Sequence, residues 1–283
     1  MRIKMLFPNG LDKALTLSYD DGVTTDIRLV HLMEQYGIKG TFNINTGCFA
    51  AEEKEYPKGE FGRMTRQQCL DLFKSKNVEV AGHGVKHKRL SMITNDEMYE
   101  EIVRDKQEIE RMFKVPCRGW AYAKGRYNDR VVKALENAGI VYARTVERHE
   151  RFEISHDWLR LASTCHHYAE DLPELTDAFL LDEPNAERSK LFYLWGHSYE
   201  FETADKWYVI ENFFEKVGNR DDIWYATNIE VYDYVKAFEG LIYSYDMDLV
   251  QNPSAVDVWI ATMGDDGIKK FCVPSGAVVK LEW

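Results

Sequence analysis

No C-x-x-C pair occurs in the 283 residues, and the five cysteines (Cys48, Cys69, Cys117, Cys165 and Cys272) are scattered and odd in number. That pattern excludes a zinc ribbon and argues for reduced thiols over a disulfide frame. Positive charge is also short: Lys plus Arg total 36 against 47 Asp plus Glu, a formal net charge of −11. Nucleic acid is therefore a poor partner for the surface as a whole, and a neutral or cationic ligand suits it better. No apolar run is long enough to span a membrane. The opening Met1 to Gly10 has too short an apolar run for a signal peptide, so a cytoplasmic chain is the expectation. Internal repeats and low-complexity tracts are absent, leaving one large domain or one domain with an appendage. Aromatic residues are plentiful; most belong to a core, and a few could form a platform for sugar rings.

What the chain has is an alternation. Ala14 to Tyr19 reads as a buried strand, followed by a helix capped at Thr24 or Thr25, apolar at Ile27, Val30, Met33 and Tyr36, and stopped at Gly37. Gly40 to Asn45 is the next strand. Cys48 to Met64 is a long loop of the kind that walls a binding site, and Thr65 to Gln68 is a capping box. Val78 to Ala81 is a strand, and a second capping box at Thr94 to Glu97 opens a helix that runs to Phe113. Cys117 to Tyr122, Ile140 to Thr145, Leu191 to Trp195 and Asp222 to Ala226 continue the strands. Asn128 and Thr203 cap further helices, the second along Trp207 and Ile210, and a last helix carries Ile229, Tyr232 and Phe238. Such a rhythm gives parallel strands wrapped by helices, either a (β/α) barrel or an open doubly wound sheet. After Gly240 it breaks. Turn signals at Asn252-Pro253, Gly264 to Gly267 and Pro274 to Gly276 separate short β-type runs. The expected division is residues 1–240 and a small β appendage, 241–283.

Polar groups gather where strands end. The run to Gly82 is followed by His83-Gly84-Val85-Lys86-His87, two imidazoles four apart that can close on one cation from a loop. The first strand delivers Asp20 and Asp21 just before Gly22. Neighbours on an extended chain point to opposite sides, so one carboxylate can face a metal and the other a substrate. Either fragment alone is ordinary, because Asp-Asp-Gly makes turns and H-x-x-x-H arises by chance. Together they supply three ligand-type groups and a spare carboxylate, the outline of a metal site. If the strand ends converge, Arg118, the Cys165-His166-His167 run and the Trp195-Gly196-His197 turn join them. His197 is the strongest of these, since a core histidine is out of place between an apolar strand and Ser198-Tyr199-Glu200. Arg118 reads equally well as a solvated arginine, and His166 and His167 as substrate contacts or a loop clamp, with contact preferred.

The runs Leu17-Ser18-Tyr19-Asp20-Asp21-Gly22 and His83-Gly84-Val85-Lys86-His87 resemble the T-F-D-D-G and H-S/T-x-x-H motifs of the polysaccharide deacetylase family, whose catalytic unit is the NodB homology domain of carbohydrate esterase family 4. Gly84 replaces the usual hydroxyl residue, at an expected cost in loop order. The resemblance covers roughly residues 14–240 and implies an α/β fold, a distorted (β/α) barrel with fewer than eight full repeats. It implies that Asp21, His83 and His87 hold a divalent metal, zinc first, with cobalt, nickel or iron compatible. Asp20 would then be the base and His197, in a turn where Gly196 replaces a leucine, the acid. Arg118 to Gly125 is similar to the family's Arg-x-Pro-Tyr motif without its proline. That places Arg118 beside Asp20, keeping it ionised, and a backbone N–H near Tyr122 at an oxyanion. Asp157-Trp158 is the nearest match to Asp-x-x-Asp-Trp, making Trp158 an aromatic wall and histidine partner; Trp195, His166 and His167 complete the expected substrate contacts. The implied activity is removal of acetyl groups from an N-acetylated sugar, without an organic cofactor. Another amide, imide or O-acetyl ester, and a non-catalytic glycan-binding protein, fit the same residues.

Overall fold

The computed structural model describes residues 2–149, 151–183, 186–264 and 267–282. Fifteen strands and eight α-helices occur among them. The strands are β1 (Arg2–Leu6), β2 (Lys13–Asp20), β3 (Gly40–Ile44), β4 (Val78–Gly82), β5 (Gly119–Ala121), β6 (Tyr142–Arg148), β7 (Leu161–Ser163), β8 (Cys165–His166), β9 (Lys190–Gly196), β10 (Ile223–Tyr225), β11 (Ile242–Tyr243), β12 (Leu249–Gln251), β13 (Val258–Gly264), β14 (Gly267–Val273) and β15 (Val278–Lys280). The helices are α1 (Asp26–Gln35), α2 (Arg66–Leu72), α3 (Asn95–Phe113), α4 (Asp129–Asn137), α5 (Leu172–Leu180), α6 (Ser198–Thr203), α7 (Trp207–Val217) and α8 (Asn228–Glu239).

The central sheet runs β7-β6-β5-β4-β3-β2-β9-β8, with β10 on β2, and each pairing in it is parallel. Every residue of β2 is buried, as a strand covered on both faces requires. β7 and β8 are separated only by Thr164, whose N–H donates to the Tyr193 carbonyl at 2.9 Å. Because β7 pairs with β6 and β8 with β9, this single run closes the sheet into a barrel. β3 meets β2 only at Ser18 to Asp20, whereas β10 takes the amino half at Lys13 to Leu15. The barrel is splayed on that side, which is the distortion expected from the family resemblance. The largest core cluster packs Leu15, Leu17 and Phe42 of the strands against Leu29 and Met33 of α1 and Ile210 and Phe214 of α7.

Both capping boxes form, at Thr65/Gln68 and Thr94/Glu97, and Asn128 caps α4 through the Val131 N–H. Thr203 does not cap a helix: it ends α6, and α7 begins only after Lys206. Beyond Gly240 the chain is antiparallel, in two three-stranded sheets, β1-β13-β14 and β11-β12-β15. β1, from the other end of the chain, is thus paired with the C-terminal segment from Arg2↔Met263 to Leu6↔Trp259. Pro274 to Ala277 turns as expected, with the Ala277 N–H on the Pro274 carbonyl. Asp265 and Asp266 of the Gly264 turn lie outside the described residues, as do Met1 and Trp283 at the limits of the expected division. Among the described residues no helix is long and apolar enough to cross a membrane.

Candidate metal centre

The carboxyl ends of β2, β4 and β9 bring Asp20, His83 and His197 together, and Arg144 reaches them from within β6. Asp20 is almost wholly buried, and its Oδ1 accepts from Asn43 Nδ2 at 2.8 Å and from Arg144 Nη2 at 2.6 Å. Its Oδ2 also takes an Arg144 hydrogen bond and lies 3.8 Å from both His83 Nε2 and His197 Nε2. Burial alone would raise the Asp20 pKa, but the Arg144 guanidinium and the two imidazoles outweigh it and hold the carboxyl well below the usual range. Arg144 is itself buried, its guanidinium 4.4 Å from the Trp195 ring centroid.

Asp21 leaves the strand with φ 89°, an unusual value for a residue other than glycine. Its side chain is thereby turned away from Asp20, and its Oδ1 lies 3.8 Å from His87 Nε2 and 2.9 Å from Arg63 Nη2. His83 Nδ1 contacts the Ala121 carbonyl at 2.8 Å, a geometry that puts the ring proton on Nδ1 and leaves Nε2 as a lone pair. That Nε2 is buried and has no hydrogen-bond partner. Asp21, His83 and His87 present ligand atoms within 4.8 Å of one another. An orphaned imidazole nitrogen facing a carboxylate and a second imidazole is what a divalent cation needs, so the residues fit the metal that the resemblance implies. Burial keeps both rings neutral, the form that binds metal: it lowers the His83 pKa and takes His87 down to about 4.

The loop between these histidines is held from α3. Asp105 Oδ2 accepts the His83 and Gly84 N–H groups at 3.0 and 2.9 Å, and Glu101 Oε2 accepts that of Lys86 at 2.8 Å. Gly84 adopts φ +88°, which a side chain there would strain. The loop support expected from a hydroxyl at this position therefore comes from two carboxylates on a neighbouring helix. Across the site, Asp26 ties the two halves together, accepting from the Val23 N–H at 3.0 Å and from the Ser198 hydroxyl. The Cys48 to Met64 loop folds over the site, with Phe61 stacked on Tyr199 at 4.4 Å.

His197 caps α6, and Glu200, three residues on, accepts from its N–H at 3.2 Å and faces its Nδ1 at 3.3 Å. Burial would lower the His197 pKa, but the bond to Glu200 and the charge of Asp20 prevail and raise it. Glu200 fills the role expected of Trp158 and its neighbour as histidine partner. Trp158 packs edge-on to Tyr232 at 5.0 Å among the core residues near Ala14, at the amino end of β2, so it is no wall of this site. Arg118 is also elsewhere. It makes a two-pronged ion pair with Asp233 of α8 at 2.8 and 2.9 Å, because it precedes β5 and emerges at the opposite end of the barrel. Arg144, from inside β6, takes the place beside Asp20. The Tyr122 N–H is spent on the Arg144 carbonyl and its hydroxyl on the Leu159 carbonyl, so neither is open to an oxyanion. Trp195 does reach the site, edge-on to His166 at 4.7 Å, and His166 and His167 gather around Glu200. Arg144, Glu200, Arg63 and Asn43 escaped the sequence reading. Two had a local signal: Thr41, Asn43 and Asn45 alternate as polar residues in an apolar strand, and His197-x-x-Glu200 has capping-box spacing.

Fold and site together define a parallel (β/α) barrel carrying an Asp/His centre where its strands end. Residues 8–143 match the family model described as Polysaccharide deacetylase. A curated relative is YxkH of Bacillus subtilis (strain 168), assigned by name to the polysaccharide deacetylases: it is 24% identical over 138 residues, 48% of this chain and 46% of the relative. The chain thus matches about half the length of that relative. A Mycobacterium smegmatis protein, likewise named for polysaccharide deacetylation, has the same fold at TM-score 0.55 and 17% identity, over 82% of this chain and 93% of that one. The Streptococcus pyogenes deacetylase PplD, solved in complex with acetate, is 20% identical over 46% of this chain and 55% of its own, at TM-score 0.42.

Proposed function

We propose that this protein is a metal-dependent hydrolase that removes acetyl groups from an N-acetylated sugar. The observation that carries the reading is the unpartnered, buried Nε2 of His83, aimed between Asp20 and Asp21 with His87 beside it. Asp21, His83 and His87 would hold the cation and leave part of its coordination sphere open. A bound divalent ion supplies Lewis acidity, polarising a carbonyl and making a water easier to deprotonate.

The remaining work belongs to side chains. Asp20, kept ionised by Arg144, takes the proton of the attacking water on Oδ2, the oxygen that faces both imidazoles. His197 stands across from it, with Nδ1 held by Glu200 and Nε2 directed at the site, placed to give a proton to the departing amine. The half-buried ring of Tyr199, beside His197, borders this space and offers an apolar surface to a sugar, backed by the buried Trp195.

Acetate release from a panel of acetylated sugars tests the reading. Asp20→Asn should keep the metal but lose ~10²–10⁴-fold in rate, and His197→Ala should keep the metal and slow leaving-group departure. His83→Ala should lose metal and activity together. Variants of Asp20 and His197 that match the parent would show the roles to be wrong. Ligand binding by the parent without acetate release from any substrate would favour a binding protein.

A further inference from the structure

Glu200 sits at the middle of a second group of ligand-type side chains that the deacetylation reading uses only in part. Among the described residues, two sets of side chains bring His and carboxylate ligand atoms within 4.8 Å of one another: the Asp21 set and His166, His167 and Glu200. In the second set, Glu200 Oε2 lies 3.2 Å from His166 Nε2 and 3.2 Å from His167 Nε2. Donors bound at ~2.0–2.2 Å to a tetrahedral zinc ion stand roughly 3.3–3.6 Å apart, close to this spacing.

His167 gives the independent sign. Its side chain is 0% exposed, and neither ring nitrogen has a hydrogen-bond partner of good geometry. A fully buried imidazole whose Nε2 meets only the Glu200 carboxylate, at poor geometry, is costly, and a ligand at Nε2 removes part of that cost. The backbone is also shaped for the ring: a Cβ on Gly196 would fall 2.0 Å from His167 Nδ1. Tyr19 stacks on the other side at 5.8 Å and 17°. His166 and Glu200 are each about a quarter exposed, at 25% and 28%, which leaves a path to solvent.

We propose that His166, His167 and Glu200 form a second divalent-cation site, of the zinc class by its imidazole and carboxylate donors. The proposal rests on these residues and not on the deacetylase reading. Tyr168 N–H donates to His166 Nδ1 at 3.2 Å, so the ring proton lies on Nε2. Cation binding at Nε2 moves that proton to Nδ1 and gives up the Tyr168 contact. It also draws the charge of Glu200 away from His197, coupling the two halves of the site.

Zinc alone is the probe. Metal-stripped parent, His83→Ala, His166→Ala and His167→Gln proteins are dialysed against buffered free zinc, and bound zinc per chain is counted by elemental analysis. The expected result is two equivalents in the parent and one in each variant. His166 is partly exposed, so His166→Ala carries the test if His167→Gln does not fold. A parent holding a single equivalent, lost in His83→Ala and kept in His166→Ala, overturns the second site and leaves the first standing. A second equivalent that survives both His166→Ala and His167→Gln lies elsewhere and overturns it as well. A single equivalent lost with His166 or His167 but not with His83 supports this site and removes the metal from the deacetylase reading.

Discussion

Two arginines that look alike in sequence differ at the residue scale in what holds them. Arg144 is buried and clamps Asp20, whereas Arg118 is partly exposed and pairs with Asp233. Removing one partner of a buried pair leaves an uncompensated charge. Arg144→Ala should therefore destabilise by ~3–5 kcal/mol in denaturant titrations, and Arg118→Ala by about 1 kcal/mol or less. If any activity survives in Arg144→Ala, its acid limb should move to higher pH, because Asp20 loses the cation that depresses its pKa. The difference was not legible in the chain. Arg118 stands beside aromatics in a motif-like run, while Arg144 lies within an apolar strand and meets Asp20 only because β6 curls toward β2 in the barrel. Asp20, Asp21, His83 and His197 were legible because each ends or directly follows an apolar strand, and His87 because it stands four residues from His83. Gly196 belongs to the same scale. Its Cβ would meet the His167 ring, so Gly196→Ala should cost ~1–3 kcal/mol by overpacking, read from the denaturation midpoint.

At the scale of elements, α3 governs the histidine loop. Its capping box and its buried Met98, Ile102 and Ile109 could be read directly from sequence spacing. That Asp105 and Glu101 on the same helix would face inward and bind the loop backbone could not, since their partners lie across a crossover. Asp105→Ala leaves the His83 and Gly84 N–H groups and the Thr46 N–H without their acceptor. Zinc affinity at the Asp21 set should fall ~10–100-fold, as measured by competition with a chromophoric chelator. Some elements escaped the reading for the opposite reason. α5 and α6 follow short, interrupted apolar patterns, and Thr203, placed like a cap, closes α6 because α7 starts four residues later.

Carboxyls bridge elements across the whole molecule, and Glu79, partly buried, joins two strands and a helix. It accepts from Thr41 of β3 at 2.8 Å, Tyr142 of β6 at 2.7 Å and the Ile229 N–H of α8 at 3.0 Å. Burial pushes its pKa from 4.5 up to about 7, against those bonds. A raised folded-state pKa contributes stability that is full below 4.5 and is lost as pH rises through about 7. His87 and His167, held neutral down to about 4, act oppositely: their contribution is present above 6.5 and is lost as pH falls toward 4. The two sets oppose each other over one window, so the test is a difference. In the metal-free protein the stability of Glu79→Gln relative to the parent should improve as pH rises from about 5 to 8, followed by urea midpoints. The pairing of β1 with β13 acts on the same scale, in time as well as space. During synthesis β1 leaves the ribosome before the barrel strands, and its partner β13 follows only after every one of them has been made. The barrel can close while β1 still offers an open edge to other nascent chains, and docking of that earlier-made strand becomes a late step of folding.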